Sequence, residues 1–276
     1  MFHVEHSMSK AIAVCNQKGG VGKSTTAVSV GSFLSIDGKR TLLVDLDPQG
    51  NATVSVGVDR AGLQKTVYES LVEGLTIQDI VIKSPLQPIE RLDVAPSNLD
   101  LAGIELKLSQ EIGRESVLKR ACETARESYD VLLFDCPPSL GLITVNALVA
   151  ADCVLIPVQC EYLALEGLNA LVQTINLVKQ RLNPGLEIGG IVLTMVDTRS
   201  NLTKEVAEEV KRFLKHLVFD THIPRNVRLA ECPSYGKPIC LYDPASSGAL
   251  AYERLTKEIA HKLLGAEVKR PESVTT

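Results

Sequence analysis

The stretch NQKGGVGKSTT, Asn16 to Thr26, lies between an apolar run, AIAVC, and a helical pattern that continues to Gly38. A strand that ends in a glycine-rich loop and reopens as a helix is a phosphate-binding arrangement. The glycines let backbone N–H groups curl around anionic oxygens, and the helix N-terminus adds favourable partial charge. The loop fits the end of the pattern G-x-x-x-x-G-K-[ST] through Gly22, Lys23 and Ser24, but Gln17 stands where the opening glycine belongs. Lys23 is expected to reach the β- and γ-phosphates of a nucleotide, and the Ser24 hydroxyl to coordinate Mg²⁺. Gly19, Gly20, Val21 and Thr25 complete the expected phosphate-binding loop. A second lysine, Lys18, lies five positions before the first.

Working outward, short apolar or β-branched runs alternate with helical periodicity almost to the C-terminus. AIAVC, TLLVDLD, RLDVAPS, VLLFDCP, CVLIPVQ, IGGIVLTMVD and LVFDTHIP read as strands. KSTTAVSVGSFLSIDG, VLKRACETARES, GLITVNALVAA, LEGLNALVQTINLVKQRL and LTKEVAEEVKRFLKH read as the helices between them. The alternation predicts a three-layer α/β fold: a mostly parallel twisted sheet with helices on both faces, in a single domain. Such sheets place their sites at the carboxyl ends of the strands. Two runs deliver acids there. VDLDPQGN brings Asp45 and Asp47 to a strand end, and VLLFD ends in Asp135, the pattern of a strand whose carboxylate holds Mg²⁺, often through water. Strand-end aspartates are also ordinary turn residues, so each gains meaning only beside the loop.

Composition narrows the class. Of 276 residues 45% are hydrophobic and 22% charged, which fits a globular protein rather than a disordered one. The net charge of −4 gives no global attraction to nucleic acid, so any basic surface must be local. The seven cysteines form no C-x-x-C pair and read as reduced structural thiols of a cytoplasmic protein. No apolar run approaches the ~18 residues a membrane span requires. Residues 1–9 read as a flexible leader, with Met8 an alternative start, 10–265 as the domain, and 266–276 as a polar tail after a helix that stops at Gly265.

Five blocks in order, KGGVGKST, VDLDPQGNAT, DCPPSLG, IPVQCEYLALEGL and IPRNVRLAECPSYGKPI, resemble the ParA/Soj chromosome- and plasmid-partitioning ATPases. That family belongs to the deviant-Walker-A P-loop class, which also includes MinD. The resemblance runs from about Ala11 to Leu264. It implies a slow, Mg-dependent ATPase with ATP or ADP and Mg²⁺ as cofactors. Lys18 would cross a homodimer interface toward the partner's phosphates and act catalytically with Lys23 and Asp47. Asp47 would orient the attacking water, and Ser24, Asp47 and Asp135 would hold the metal. Pro224 and Arg225 would lie near the nucleotide. The ATP-bound dimer would bind DNA non-specifically, associating with the nucleoid, until a ParB/Spo0J-like partner stimulates hydrolysis.

Two related readings stand beside this one. A MinD-like membrane or positioning switch would need a basic amphipathic C-terminal helix, and LLGAEVKRPESVTT is a polar tail. An iron–sulfur carrier or reductase would need cysteines converging at the dimer interface. Only Cys136, beside Asp135, keeps that reading in view. The candidate DNA contacts are Arg228, Arg199, Lys204 and Lys237, interleaved with acids such as Glu205, Glu208, Glu209 and Glu231. Glu208 is placed i,i+4 to both Lys204 and Arg212, which equally suits a solvated helix face. YDPASSGA lacks basic residues expected in some relatives.

Overall fold

The computed structural model describes residues 9–161, 164–197 and 199–265. The expected polar tail and all but Ser9 of the expected leader lie outside them. Six strands, β1 (Lys10–Val14), β2 (Thr41–Asp45), β3 (Leu92–Ala95), β4 (Val131–Asp135), β5 (Cys153–Gln159) and β6 (Glu187–Thr194), form one sheet in the order β3-β2-β4-β1-β5-β6. Every pairing in it is parallel. The longer helices are α1 (Lys23–Ile36), α7 (Leu142–Ala150), α8 (Ala164–Arg181), α9 (Asn201–Leu214) and α12 (Ser247–Leu264). Between α1 and α7 lie the short α2 (Asn51–Ser55), α3 (Val67–Val72), α4 (Ile104–Lys107), α5 (Val117–Ala121) and α6 (Glu123–Ser128); α10 (Val227–Glu231) and α11 (Ile239–Tyr242) precede α12.

Strand side chains alternate between faces, and the two faces carry separate cores. Ala11, Ala13, Leu42, Val44, Leu132 and Phe134 pack with α5 to α9 on one side. Ile12, Val14, Leu43, Leu133 and Leu155 pack with α1 and α12 on the other. Both faces are covered, so the strands are continuous apolar runs rather than alternating ones. The arrangement is the expected three-layer one. α12 is capped by the Ser246 hydroxyl, which accepts from Ala249 N, and it stops at Gly265 in the left-handed conformation, φ 64°.

Two local expectations need correction. LVFDTHIP is not a named strand. It runs beside β6 through two isolated parallel bridges, Ile191 with Val218 and Val196 with Pro224. VLKRACETARES is two short helices rather than one, divided at Cys122. No described helix is long and apolar enough to cross a membrane.

Because all six strands run the same way, the loops after β1, β2, β4, β5 and β6 emerge at one edge of the sheet. β1 is central, flanked by β4 and β5, so its loop opens beside Asp135 at the end of β4, with Asp45 one strand further on β2.

Candidate functional site

The loop after β1 turns on Gly20 (φ 75°) and Gly22 (φ 87°), a region that a side chain makes costly. Gly22 sits at the head of α1. No side chain caps this helix and its first turn has no acid, so its positive end is left unopposed. The Thr194 hydroxyl, at the end of β6, donates to Val21 O at 2.9 Å and fixes the middle of the loop. Lys23 is 6% exposed, and its Nζ donates to Lys18 O at 3.0 Å, folding back over the loop. Burial pulls the Lys23 pKa down, against the opposing pull of Asp135.

Two strand-end carboxylates, Asp135 and Asp47, act on this ammonium through space, and a third, Asp45, lies beside Asp135. Asp45 and Asp135 are register partners on β2 and β4. Asp45 is fully buried and accepts from Thr53 N at 2.8 Å, Thr53 Oγ1 at 2.7 Å and Asp47 N at 3.1 Å. Its pKa is raised to about 6, with burial outweighing these hydrogen bonds. Asp45 thus shapes the loop that carries Asp47. Asp135 is also fully buried, yet neither carboxylate oxygen has a hydrogen-bond partner. Its pKa is pushed well up by burial and then by Asp45, while the Ser24 hydroxyl, outside hydrogen-bonding geometry, favours the ionised form. A buried anion left in this state is what a cation site requires. Asp47 Oδ1 accepts from Gln49 N at 2.9 Å. Gly19, Gly20, Gly22, Lys23, Ser24, Thr25 and Asp47 line one cleft of about 340 Å³.

Lys18 does not line that cleft. Its Nζ donates to Glu161 Oε2 at 2.6 Å, in the loop after β5, and this contact holds the Glu161 carboxyl below its usual range. The backbone of Lys18 is anchored separately. Asn16 Oδ1 accepts its N–H at 3.0 Å, and Asn16 Nδ2 donates to Pro157 O at 2.7 Å.

A second, mostly apolar cavity of about 320 Å³ shares Gly22, Thr25 and Met195 with the first. Pro224 and Arg225 line it, as do Asn226 and Tyr252. The Tyr252 hydroxyl lies 3.0 Å from Thr26 Oγ1, tying α12 to the start of α1. A polar cleft continuous with an apolar pocket suits a nucleotide, phosphates in one and base in the other.

The candidate DNA contacts are less free than the sequence suggests. Arg228 pairs with Glu231 at 3.1 Å and with Asp243 at 3.4 Å. Arg199 pairs with Asp197 at 3.1 Å. Arg212 meets Glu209 at 3.7 Å. Lys237 is exposed, and the side chain of Lys204 lies outside the described residues. Cys136 faces Cys15, with sulfurs 2.9 Å apart, and both thiols are buried in the core.

The structure therefore gathers Gly19, Gly20, Gly22 to Thr25 and Asp47 around one cavity and Pro224 and Arg225 around the other, while Lys18, Val21 and the buried Asp135 line neither. The sequence reading gave no role to Asn16, Thr53, Glu161, Thr194 or Met195. Glu161 lies inside the block IPVQCEYLALEGL, but nothing in its spacing points to Lys18, 143 positions away. Thr53 was reachable, since a hydroxyl eight residues after Asp45 at a helix start is a natural partner for a buried acid.

A family model described as an AAA domain matches residues 9–188. The sporulation initiation inhibitor protein Soj of Bacillus subtilis (strain 168) is 53% identical over 253 residues, covering 92% of this chain and 99% of that protein. The chromosome partitioning protein ParA of Myxococcus xanthus (strain DK1622) is 49% identical, covering 92% and 88%. Among solved structures, cobyrinic acid a,c-diamide synthase from Mycobacterium smegmatis with bound ADP and magnesium superposes with a TM-score of 0.79. It is 38% identical and covers 92% of this chain and 95% of that one.

Proposed function

The chain belongs to the ParA/Soj family of chromosome-partitioning ATPases, and from that premise we propose that it is a Mg–ATP-driven switch for DNA segregation. ATP binding drives a homodimer, the dimer binds DNA without sequence preference, and a ParB/Spo0J-like partner releases it by stimulating hydrolysis. The working compartment is the cytoplasm, with the ATP-bound form on the nucleoid.

Within the site, Gly19 to Gly22 and the head of α1 hold the phosphates through backbone N–H groups, and Lys23 neutralises the β- and γ-phosphates. The base enters the apolar pocket beside Pro224 and Arg225. The orphaned, buried oxygens of Asp135 fit a cation, so Asp135, Ser24 and Asp47 are the residues that would hold Mg²⁺. Magnesium supplies, when bound with the nucleotide, the positive charge that the phosphates need for transfer to water. Asp47 Oδ1 is engaged by Gln49 N, which leaves Oδ2 to orient the attacking water.

The observation that carries the switch reading is the position of Lys18. A lysine of the phosphate loop lies outside its own cleft, with its ammonium on Glu161. One lysine cannot neutralise a triphosphate. A second one contributed by a partner protomer ties dimer formation to the γ-phosphate, in a desolvated interface where the charge contact is strengthened. Lys18 must then leave Glu161 as the dimer forms. Gly19 supports the same reading. A Cβ there would meet nothing within 4 Å in this chain, and its φ is not in the left-handed region. A side chain at Gly19 is therefore compatible with the folded protomer, and its effect would fall on the bound phosphates or on a partner.

The test is sedimentation with and without Mg–ATP. Gly19→Val is expected to fold and bind ATP but remain a monomer. An ATP-dependent dimer of normal strength in Gly19→Val would sink the sandwich-dimer reading.

A further inference from the structure

Met195 is a non-glycine residue in the left-handed region, with φ 52°. Such a backbone is disfavoured for any side chain with a Cβ and persists only where its surroundings over-determine it. They do so here. On one side Thr194 ends β6 and donates to Val21 O of the phosphate loop at 2.9 Å. On the other, Val196 N donates to Ile223 O at 3.0 Å, and Arg225 N donates to Val196 O at 3.3 Å. The chain is pinned to the phosphate loop before Met195 and to the base-pocket segment after it, and Met195 absorbs the turn between them.

The side chain does not explain the strain as packing, for Met195 belongs to neither core. It is half-buried and lines both cavities. Gly22 and Thr25, which also line both, belong to the phosphate loop and its helix. Met195 is thus the one such residue, among those described, that comes from elsewhere in the chain.

We propose that Met195 is a nucleotide-binding residue that contacts the ribose of a purine nucleoside di- or triphosphate, where the phosphate cleft joins the base pocket. An unbranched, polarizable thioether suits this place, because it follows the irregular face of a sugar without demanding a hydrogen bond. The left-handed backbone is the device that turns the side chain into the junction. This rests on the nucleotide reading of the site above and adds to it the residue that couples the two cavities.

The test uses the full chain with Met195→Leu, Met195→Ala and Met195→Gly, titrated calorimetrically with Mg–ADP and with inorganic tripolyphosphate, and melted without ligand. Leu keeps a flexible apolar contact and is expected to bind ADP within about threefold of wild type, whereas Ala and Gly lose it and bind about tenfold more weakly. Tripolyphosphate, which has no ribose, is expected to bind all four chains alike. Gly at this position relieves the left-handed backbone and Ala does not, so Met195→Gly should melt above Met195→Ala, the reverse of the ordinary order. Wild-type ADP affinity in Met195→Ala overturns the contact, and Gly melting below Ala overturns the strained-turn explanation. A wild-type chain that binds no Mg–ADP overturns the nucleotide site as a whole, a result distinct from either.

Discussion

At and beneath the phosphate cleft, Asp45, Asp47 and Asp135 are drawn out of water, Lys23 is buried with them, and both oxygens of Asp135 lack a partner. On the surface between residues 197 and 243, Arg199, Arg212 and Arg228 each meet a carboxylate of the same chain. Charge in the first region is incomplete until a ligand arrives, while charge in the second is already answered. Burial magnifies every imbalance in the cleft, whereas water and salt mute both the pairs and their loss at the surface. A ligand entering the cleft relieves an existing cost. A polyanion approaching the surface must instead compete with bonds the arginines already have.

The largest effect is therefore expected at Lys23. Lys23→Ala should weaken Mg–ADP and Mg–ATP binding by roughly 100-fold or more, on the order of 3 kcal/mol, as measured by calorimetric titration. Binding within about threefold of wild type would show that the loop backbone alone holds the phosphates, and the contrast between the regions would collapse. Lys18→Ala sharpens the division of labour within the loop. Nucleotide affinity should stay within about threefold, while phosphate release falls by roughly 100-fold, since a cation contributed in trans acts on the transition state. A normal turnover rate in this variant would remove the crossing lysine from the mechanism.

Asp135 gives an effect of opposite sign for fold and function. Burial holds the Asp135 carboxyl well above the usual carboxylate range, and Asp45 rises to about 6. Groups raised by folding bind protons more tightly in the folded chain. Their stabilising contribution is full below the unfolded value near 4 and is lost as pH rises through the folded values. Ligand-free wild type is thus expected to lose stability as pH rises from about 4 through about 6, where Asp45 titrates, and further as Asp135 ionises. Asp135→Asn cannot ionise and should lose less, exceeding wild type at pH 8 by roughly 1–3 kcal/mol in thermal melts. With Mg–ADP present the order should reverse. A variant less stable than wild type at pH 8 without ligand would mean that Asp135 is satisfied in the fold.

The sequence made the cleft legible because its parts are contiguous. A glycine turn and a helix start occupy NQKGGVGKSTT directly after a strand, and the acids stand at the ends of two apolar runs. The sheet followed from the same runs, since strands buried on both faces read as unbroken Val, Leu and Ile. What stayed hidden depends on distant chain segments. Glu161 meets Lys18, and Asp243 meets Arg228, only because loops from different strands and helices converge. LVFDTHIP has strand-like composition, but its contact with β6 is limited to isolated bridges. The left-handed turn at Met195 also left no trace in TMVD, because methionine is not a residue that announces φ above zero.

The smallest expected effect is also the one that best separates the two regions. If Arg228 belongs to the proposed DNA surface, Glu231 and Asp243 hold it back. Arg228→Glu would place a third carboxylate among these two, so lost DNA binding in that variant would have two explanations. Asp243→Asn is cleaner, because it removes one restraint and leaves the guanidinium in place, still bonded to Glu231 at 3.1 Å. Exposed ion pairs are weak, so the gain should be modest. Random-sequence DNA is expected to bind the ATP-bound variant about two- to threefold more tightly at low salt. Its salt dependence should steepen by at most about 0.9 in slope, the value for one added phosphate contact. Nucleotide affinity should not move, since Asp243 does not line either cavity. Mobility shifts at two salt concentrations, with and without ATP, measure all three quantities. Unchanged DNA affinity and slope in Asp243→Asn, alongside undiminished binding in Arg228→Ala, would place the DNA surface elsewhere. The exposed Lys237 would then be the next described cation to test.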